Sequence, residues 1–100
     1  MNDADYVVLV SSTSIPTKVA TAISKKFNKD YTDYGEDALV EIQAIGPLAI
    51  NKAVISIVLA RDFLASTDVN LICVPTFGKF KTKSGDIRNG IRFILRLEGR

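Results

Sequence analysis

The segment from Leu39 to Phe63 constrains the fold of this chain more than any other part of the sequence. Residues 39–45 are predicted to be a strand, because Val40, Ile42 and Ala44 alternate with Glu41 and Gln43 in the period of a strand that buries one face. Gly46 frees the backbone to turn, and Pro47 suits the first helical position, where its missing N–H costs nothing. Residues 48–63 continue as a helix that is apolar around most of its circumference. Because one sheet face cannot cover such a helix, we expect a second copy of the chain to cover the rest.

The N-terminal part predicts a strand followed by an amphipathic helix. Tyr6 to Val10 is aromatic-led and rich in β-branched residues, as in a largely buried strand. Ser14 is expected to cap the helix, with Pro16 in its first turn. Apolar side chains then recur at helical spacing at Val19, Ala20, Ile23 and Phe27.

The stretch from Asn28 to Asp37 has the composition of an exposed, turn-forming connection. It carries four carboxylates, which raises the alternative of a calcium loop. The regular ligand positions and closing glutamate of an EF-hand are absent, so we favour a solvated loop. Its acidic side chains are Asp30, Asp33, Glu36 and Asp37.

The C-terminal part predicts two more strands, Val69 to Phe77 and Ile87 to Leu97. Pro75 cannot donate to a ladder and therefore indicates an edge strand, a bulge or a strand end. Ser84 and Gly85 are interpreted as a two-residue hairpin turn between the strands.

Several segments resemble the stage V sporulation protein S family, a small bacterial group with the fold of the Alba chromatin proteins. The similarity rests on EIQAIG, AINKAV, LARDF and VNLICVPTF, with a weaker match in SSTSIPTKVATAI. It implies an α/β domain of order β-α-β-α-β-β, a two-layer α+β sandwich with a four-stranded mixed sheet and two helices. It also implies a homodimer that binds nucleic acid.

Length and composition narrow the alternatives. One hundred residues with 47% hydrophobic content predict one domain over residues 1–100. No apolar stretch reaches the roughly 18 residues that span a bilayer, so no membrane association is expected. The start MNDADY lacks a signal peptide's basic and small-residue pattern, which predicts a cytoplasmic protein. Cys73 stands alone in an apolar strand and is interpreted as a small buried hydrophobe.

The charge distribution predicts the function. Residues 1–76 hold six basic and nine acidic side chains, net −3, whereas residues 77–100 hold seven basic and two acidic, net +5. With the two-residue turn, Lys81 lies opposite Arg88 and Phe80 points to the other face. Six cations would then share one face, namely Lys79, Lys81, Lys83, Arg88, Arg92 and Arg96.

Such a basic ribbon suits a DNA or RNA backbone, because each neutralised phosphate releases counterions. Lysines on a hairpin also block edge-to-edge aggregation, so a purely solubilising role is the alternative. A further alternative function is a protein-interaction module or regulatory protein without nucleic-acid binding.

A second candidate contact is the hydroxyl-rich stretch before the first helix, at Ser12 and Thr13 with the neighbouring Lys18. A helix N-terminus offers free N–H groups and a positive dipole end to an anion. Ordinary capping explains these hydroxyls equally well.

An enzyme is not expected. The sequence has no histidine, one cysteine and no P-loop or GxGxxG motif, so the commonest nucleophile, base and metal constellations cannot be assembled. The sequence accordingly predicts no catalytic residue, no metal site and no cofactor.

Overall fold

The computed structural model describes residues 6–34 and 38–99, with side chains for 6–29 and 38–99. Its elements follow the predicted order β-α-β-α-β-β. They are β1 (Tyr6–Val10), α1 (Pro16–Tyr34), β2 (Leu39–Ala44), α2 (Pro47–Phe63), β3 (Val69–Lys81) and β4 (Ile87–Gly99).

The four strands form one mixed sheet in the order β1-β2-β4-β3. β1 runs parallel to β2, and β4 runs antiparallel to both β2 and β3. This strand order confirms one prediction and contradicts another. Pro75 lies on an edge strand, as expected for a residue without an N–H. β1 was expected to be largely buried, which is wrong: it is the other edge, and Leu9 is 74% exposed on its uncovered face.

The core lies between the two helices and one face of the sheet. From α1 it takes the predicted Ala20, Ile23 and Phe27, all without exposed surface. The sheet contributes alternate residues of its two central strands, which confirms the period-two pattern of β2. These are Val40, Ile42 and Ala44 on β2 and Phe93, Leu95 and Leu97 on β4.

Helix α1 is longer than predicted. It continues through the stretch from Asn28 to Tyr34, so the exposed connection expected there is wrong for these residues. Turn-forming composition is a weak local preference, and an already formed helix overrides it. The carboxylates considered for calcium lie outside the described side chains. Ser14 does not cap the helix as expected, because its hydroxyl accepts a hydrogen bond from the Ser11 N–H (2.9 Å).

Helix α2 begins after Gly46, whose φ of 90° lies in the region that favours glycine, and Pro47 occupies its first turn. Its buried stripe consists of small residues, and the opposite face exposes larger aliphatic side chains. The buried residues are Ala49, Ala53, Ser56 and Ala60. The exposed ones are Leu48, Val54, Ile55, Val58 and Phe63. The predicted apolar character of most of the circumference is therefore confirmed.

Cys73 is half-buried on β3 and packs against the core, close to the predicted role of a small hydrophobe. Burial raises the pKa of its thiol by desolvation. The thiol is therefore protonated at neutral pH, in the form that reacts poorly.

Candidate nucleic-acid interface

The hairpin between β3 and β4 turns through three residues rather than two. The Thr82 N–H donates to the Asp86 carbonyl (2.8 Å), and the Gly85 N–H donates to the Thr82 carbonyl (2.9 Å). Gly85 has a φ of 92°, as in hairpin loops that end in a left-handed residue. The loop is therefore Lys83, Ser84 and Gly85, and the predicted two-residue turn is wrong.

The extra loop residue shifts the strand register by one position. Lys81 lies opposite Ile87 instead of Arg88, and Phe80 lies opposite Arg88. Because a one-residue shift moves every side chain of one strand to the other face, the predicted single stripe of six cations is also wrong. Lys79 and Lys81 share the helix side of the sheet plane. The outer side carries Arg88, Arg92 and Arg96.

Beyond the end of β2, the two strands continue as a free ribbon. β2 pairs with β4 only as far as Ala44 opposite Ile91, so residues 78–90 pair only with one another. We call residues 78–90 the arm. It carries four basic side chains, Lys79, Lys81, Lys83 and Arg88, and one acidic side chain, Asp86.

The four cations of the arm are all exposed, and within residues 6–29 and 38–99 none of them forms an ion pair. The carboxylate of Asp86 instead accepts a hydrogen bond from the Ser84 hydroxyl (3.1 Å). The positive charge of the arm is therefore available on both of its faces to an external anion.

The other two predicted cations lie in the body of the sheet and are ion-paired. Arg92 donates from Nε to Oε2 of Glu41 over 2.9 Å, and the same oxygen accepts from Gln43 Nε2. Arg96 pairs with Glu98 over 3.2 Å. Glu41 and Glu98 therefore neutralise these two cations on the outer face of the sheet. Glu41 and Gln43 do lie on the outer face of β2, as expected.

Phe80 lies on the same face as Arg88 and Arg92, opposite to its predicted side. The tip of its ring occupies the space where a side chain on Gly78 would begin. The guanidinium carbon of Arg92 lies over the ring, 5.3 Å from its centroid. The cation–π pair of Phe80 and Arg92 therefore links the arm to the body of the sheet, and the Phe80 ring packs against Gly78. The sequence missed this pair because the residues around Ser84 and Gly85 do not distinguish a three-residue loop from a two-residue turn.

The hydroxyl-rich turn before α1 uses several of its own donors. The N–H groups of Thr13 and Ser14 donate to the side chain and carbonyl of Ser11. The Lys18 N–H donates to the Ile15 carbonyl. Ser12, Thr13 and Lys18 are exposed. A helix-terminal anion site built on them remains a prediction.

A cleft of about 640 Å³ separates this turn from the base of the arm. It brings together four of the nine predicted site residues, Ser12, Lys79, Lys81 and Arg92, with the unpredicted Phe80 and Gln43. The remaining five, Thr13, Lys18, Lys83, Arg88 and Arg96, do not line it.

The described residues contain neither a membrane-spanning helix nor a cluster of metal-ligating side chains. In the described ranges, no helix is long and apolar enough to cross a bilayer. Over the same residues, no three side chains of the His, Cys, Asp or Glu type are grouped as a metal site would need.

The topology defines the class of fold to which the chain belongs. Alba from Thermoplasma volcanium has the same fold, with a TM-score of 0.56 and 19% sequence identity over 94% of this chain and 99% of that one. The chain is therefore an Alba-like α+β domain. The sequence profile of the stage V sporulation protein S family (SpoVS) matches residues 6–98. This chain belongs to that family.

Proposed function

We propose that this protein is a cytoplasmic homodimer that binds DNA or RNA through the phosphate backbone, with the arm as its main contact. The observation that carries the proposal is the set of four exposed cations on residues 78–90, none ion-paired within the described part of the chain. Each phosphate that they neutralise would release condensed counterions and so favour binding.

The distribution of charge on both faces of the arm favours insertion over surface contact. Lys79 and Lys81 lie on one face and Arg88 on the other. A two-stranded ribbon fits the major groove of B-DNA, about 12 Å wide. A ribbon inserted there has phosphates on both sides, whereas a ribbon that lies on a flat surface would use one face.

The exposed face of α2 supports the dimer. Leu48 in the first turn of the helix is 67% exposed, and Val58 further along it is 53% exposed, although both are aliphatic. Several exposed apolar side chains on one face of a helix are typical of an interface. A second copy of the same chain is always available as a partner. A dimer would present two arms to one polyanion. The family membership supports a role as a regulator in sporulation or development.

A fluorescence anisotropy titration against duplex and single-stranded DNA and RNA at several salt concentrations tests the proposal. We expect binding at low salt that weakens as salt rises, with a log–log slope of about −0.9 per contacted phosphate on duplex DNA. Failure to bind any of the four probes at low salt would contradict nucleic-acid binding.

The same apolar face of α2 supports a second candidate, a protein-interaction module of this fold. The face would then receive another protein instead of a second copy. A pull-down from nuclease-treated lysate separates the two candidates. A stable protein partner, together with no binding of nucleic acid by the purified chain, would favour the interaction module.

A further inference from the structure

The cleft at the base of the arm has a composition that phosphate binding alone does not require. Its walls include the aliphatic side chains of Leu9 and Ile45 and the aromatic ring of Phe80. A backbone-binding surface needs only cations and hydrogen-bond donors. Apolar walls with a few polar groups are typical of sites that bury a flat organic group, and about 640 Å³ lies within the roughly 300–1,000 Å³ of small-molecule sites.

Phe80 and Arg92 form a fixed platform in this cleft. Gly78 leaves the space that the tip of the Phe80 ring fills. Glu41 holds the guanidinium of Arg92 through Nε, which leaves the two terminal nitrogens of Arg92 without a hydrogen bond in the described part of the chain. Aromatic rings and arginine planes are the two surfaces on which proteins stack unpaired bases.

Cations lie on both sides of this platform. Arg88 lies directly opposite Phe80 on the same face of the ribbon, whereas Lys79 and Lys81 flank Phe80 in the sequence, line the cleft and point to the other face. Ser12 lies across from them and offers an exposed hydroxyl. A strand could therefore place one base on the platform and its phosphates near Arg88 on the same face, with Lys79 and Lys81 reached around the edge of the ribbon.

A duplex cannot use this arrangement, because its bases are paired and stacked and present only their edges. We propose that the cleft binds an unpaired nucleobase of single-stranded nucleic acid, stacked on the Phe80–Arg92 platform, an inference that rests on the proposed function. The arm then contacts the phosphate backbone of any nucleic acid, and the cleft adds a preference for single strands over duplexes.

Anisotropy with a short labelled oligothymidylate, and with the same strand carrying abasic sites in place of every base, tests this inference. Both probes have the same phosphates. We expect the base-bearing strand to bind roughly 5- to 100-fold more tightly, the range expected for one stacked base. Phe80→Leu keeps an apolar side chain over Gly78 but removes the ring, so it should abolish most of the difference. Phe77→Leu is the matched control, because Phe77 is an exposed aromatic on the other face of β3.

The outcomes distinguish failure of the cleft from failure of the proposed function. Equal, salt-dependent binding of both strands overturns the cleft site and leaves backbone binding intact. An unchanged difference in Phe80→Leu, or an equal loss in Phe77→Leu, also overturns it. Absence of binding to every probe at low salt overturns both. Duplex binding that is insensitive to Phe80→Leu, together with loss of the single-strand preference, supports the inference.

Discussion

Arg92 and Glu41 lie on neighbouring strands and form an ion pair, with Arg92 Nε 2.9 Å from Glu41 Oε2. The carboxylate occupies the position that a phosphate oxygen would take beside this guanidinium. Glu41 therefore competes with an external phosphate for Arg92, while it also fixes the orientation of the side chain.

Replacing Glu41 by Gln should strengthen nucleic-acid binding. The amide can still accept a hydrogen bond from Arg92, but the charge of Arg92 is no longer neutralised. We expect higher affinity and a salt slope steeper by up to about 0.9, at a cost in stability of up to about 1 kcal/mol. Glu98→Gln is the matched control, because it frees Arg96 at the other end of β4. An unchanged slope in Glu41→Gln would place Arg92 outside the interface.

Removing charge from the arm should weaken binding independently on its two faces. Lys81 and Arg88 point to opposite sides of the ribbon, so Lys81→Ser and Arg88→Ser should have additive effects. The double variant should flatten the salt slope by up to about two units on duplex DNA. Lys25→Ser, on an exposed position of α1, is the control. Equal slopes in the double variant and the control would contradict the role of the arm.

Prediction of this site from the sequence depended on the length of the β3–β4 hairpin loop, which has one residue more than expected. The dipeptide Ser84–Gly85 is compatible with a two-residue and a three-residue hairpin, and local composition does not distinguish them. Gly85 is the last residue of the three-residue loop and has a positive φ. The longer loop shifts the register by one residue and so places Lys79 and Lys81 on the face opposite to the arginines. The strands themselves were predictable, since the alternation at Val40 and Ile42 needs no knowledge of their partners.

Contacts between residues that are far apart along the chain could not be predicted from the sequence. Glu41 and Arg92 are 51 positions apart, and their pairing follows from the β2–β4 register. Helix α2 was predictable for the opposite reason, because Gly46 and Pro47 fix its start locally. The extension of α1 past Asn28 was not, since turn-forming composition is only a weak local preference.

Gly90 should tolerate no side chain, whereas Gly78 should. A Cβ on Gly90 would lie 2.5 Å from the backbone oxygen of Ala44, which cannot move without distorting β2. We expect Gly90→Ala to cost about 1–3 kcal/mol in the free energy of unfolding. In Gly78→Ala the obstacle is the movable ring of Phe80, so the loss should be smaller. Urea unfolding measures both, and a loss in Gly78→Ala as large as that in Gly90→Ala would contradict the expected movement of the Phe80 ring.

Charges on the outer face of α2 should dissociate the dimer. Ile55→Lys with Val58→Lys places two cations on side chains that are already exposed in the single chain, so each protomer should remain folded. Light scattering should give twice 10.9 kDa for the unaltered protein and 10.9 kDa for the variant. Thr21→Lys, on the exposed side of α1, is the control. A mass of 10.9 kDa for the unaltered protein across micromolar concentrations would contradict the dimer.

The alanines on the inner side of α2 also determine how the protein should respond to dilution. Because Ala49, Ala53 and Ala60 fill the contact with the rest of the chain, the exposed side chains of the opposite face, such as Val54 and Val58, contribute little to the fold of one protomer. In the proposed dimer their burial comes only with association, and an association that stabilises the folded form makes the melting temperature depend on protein concentration. The amount of this protein in a cell would then set how firmly each molecule is folded.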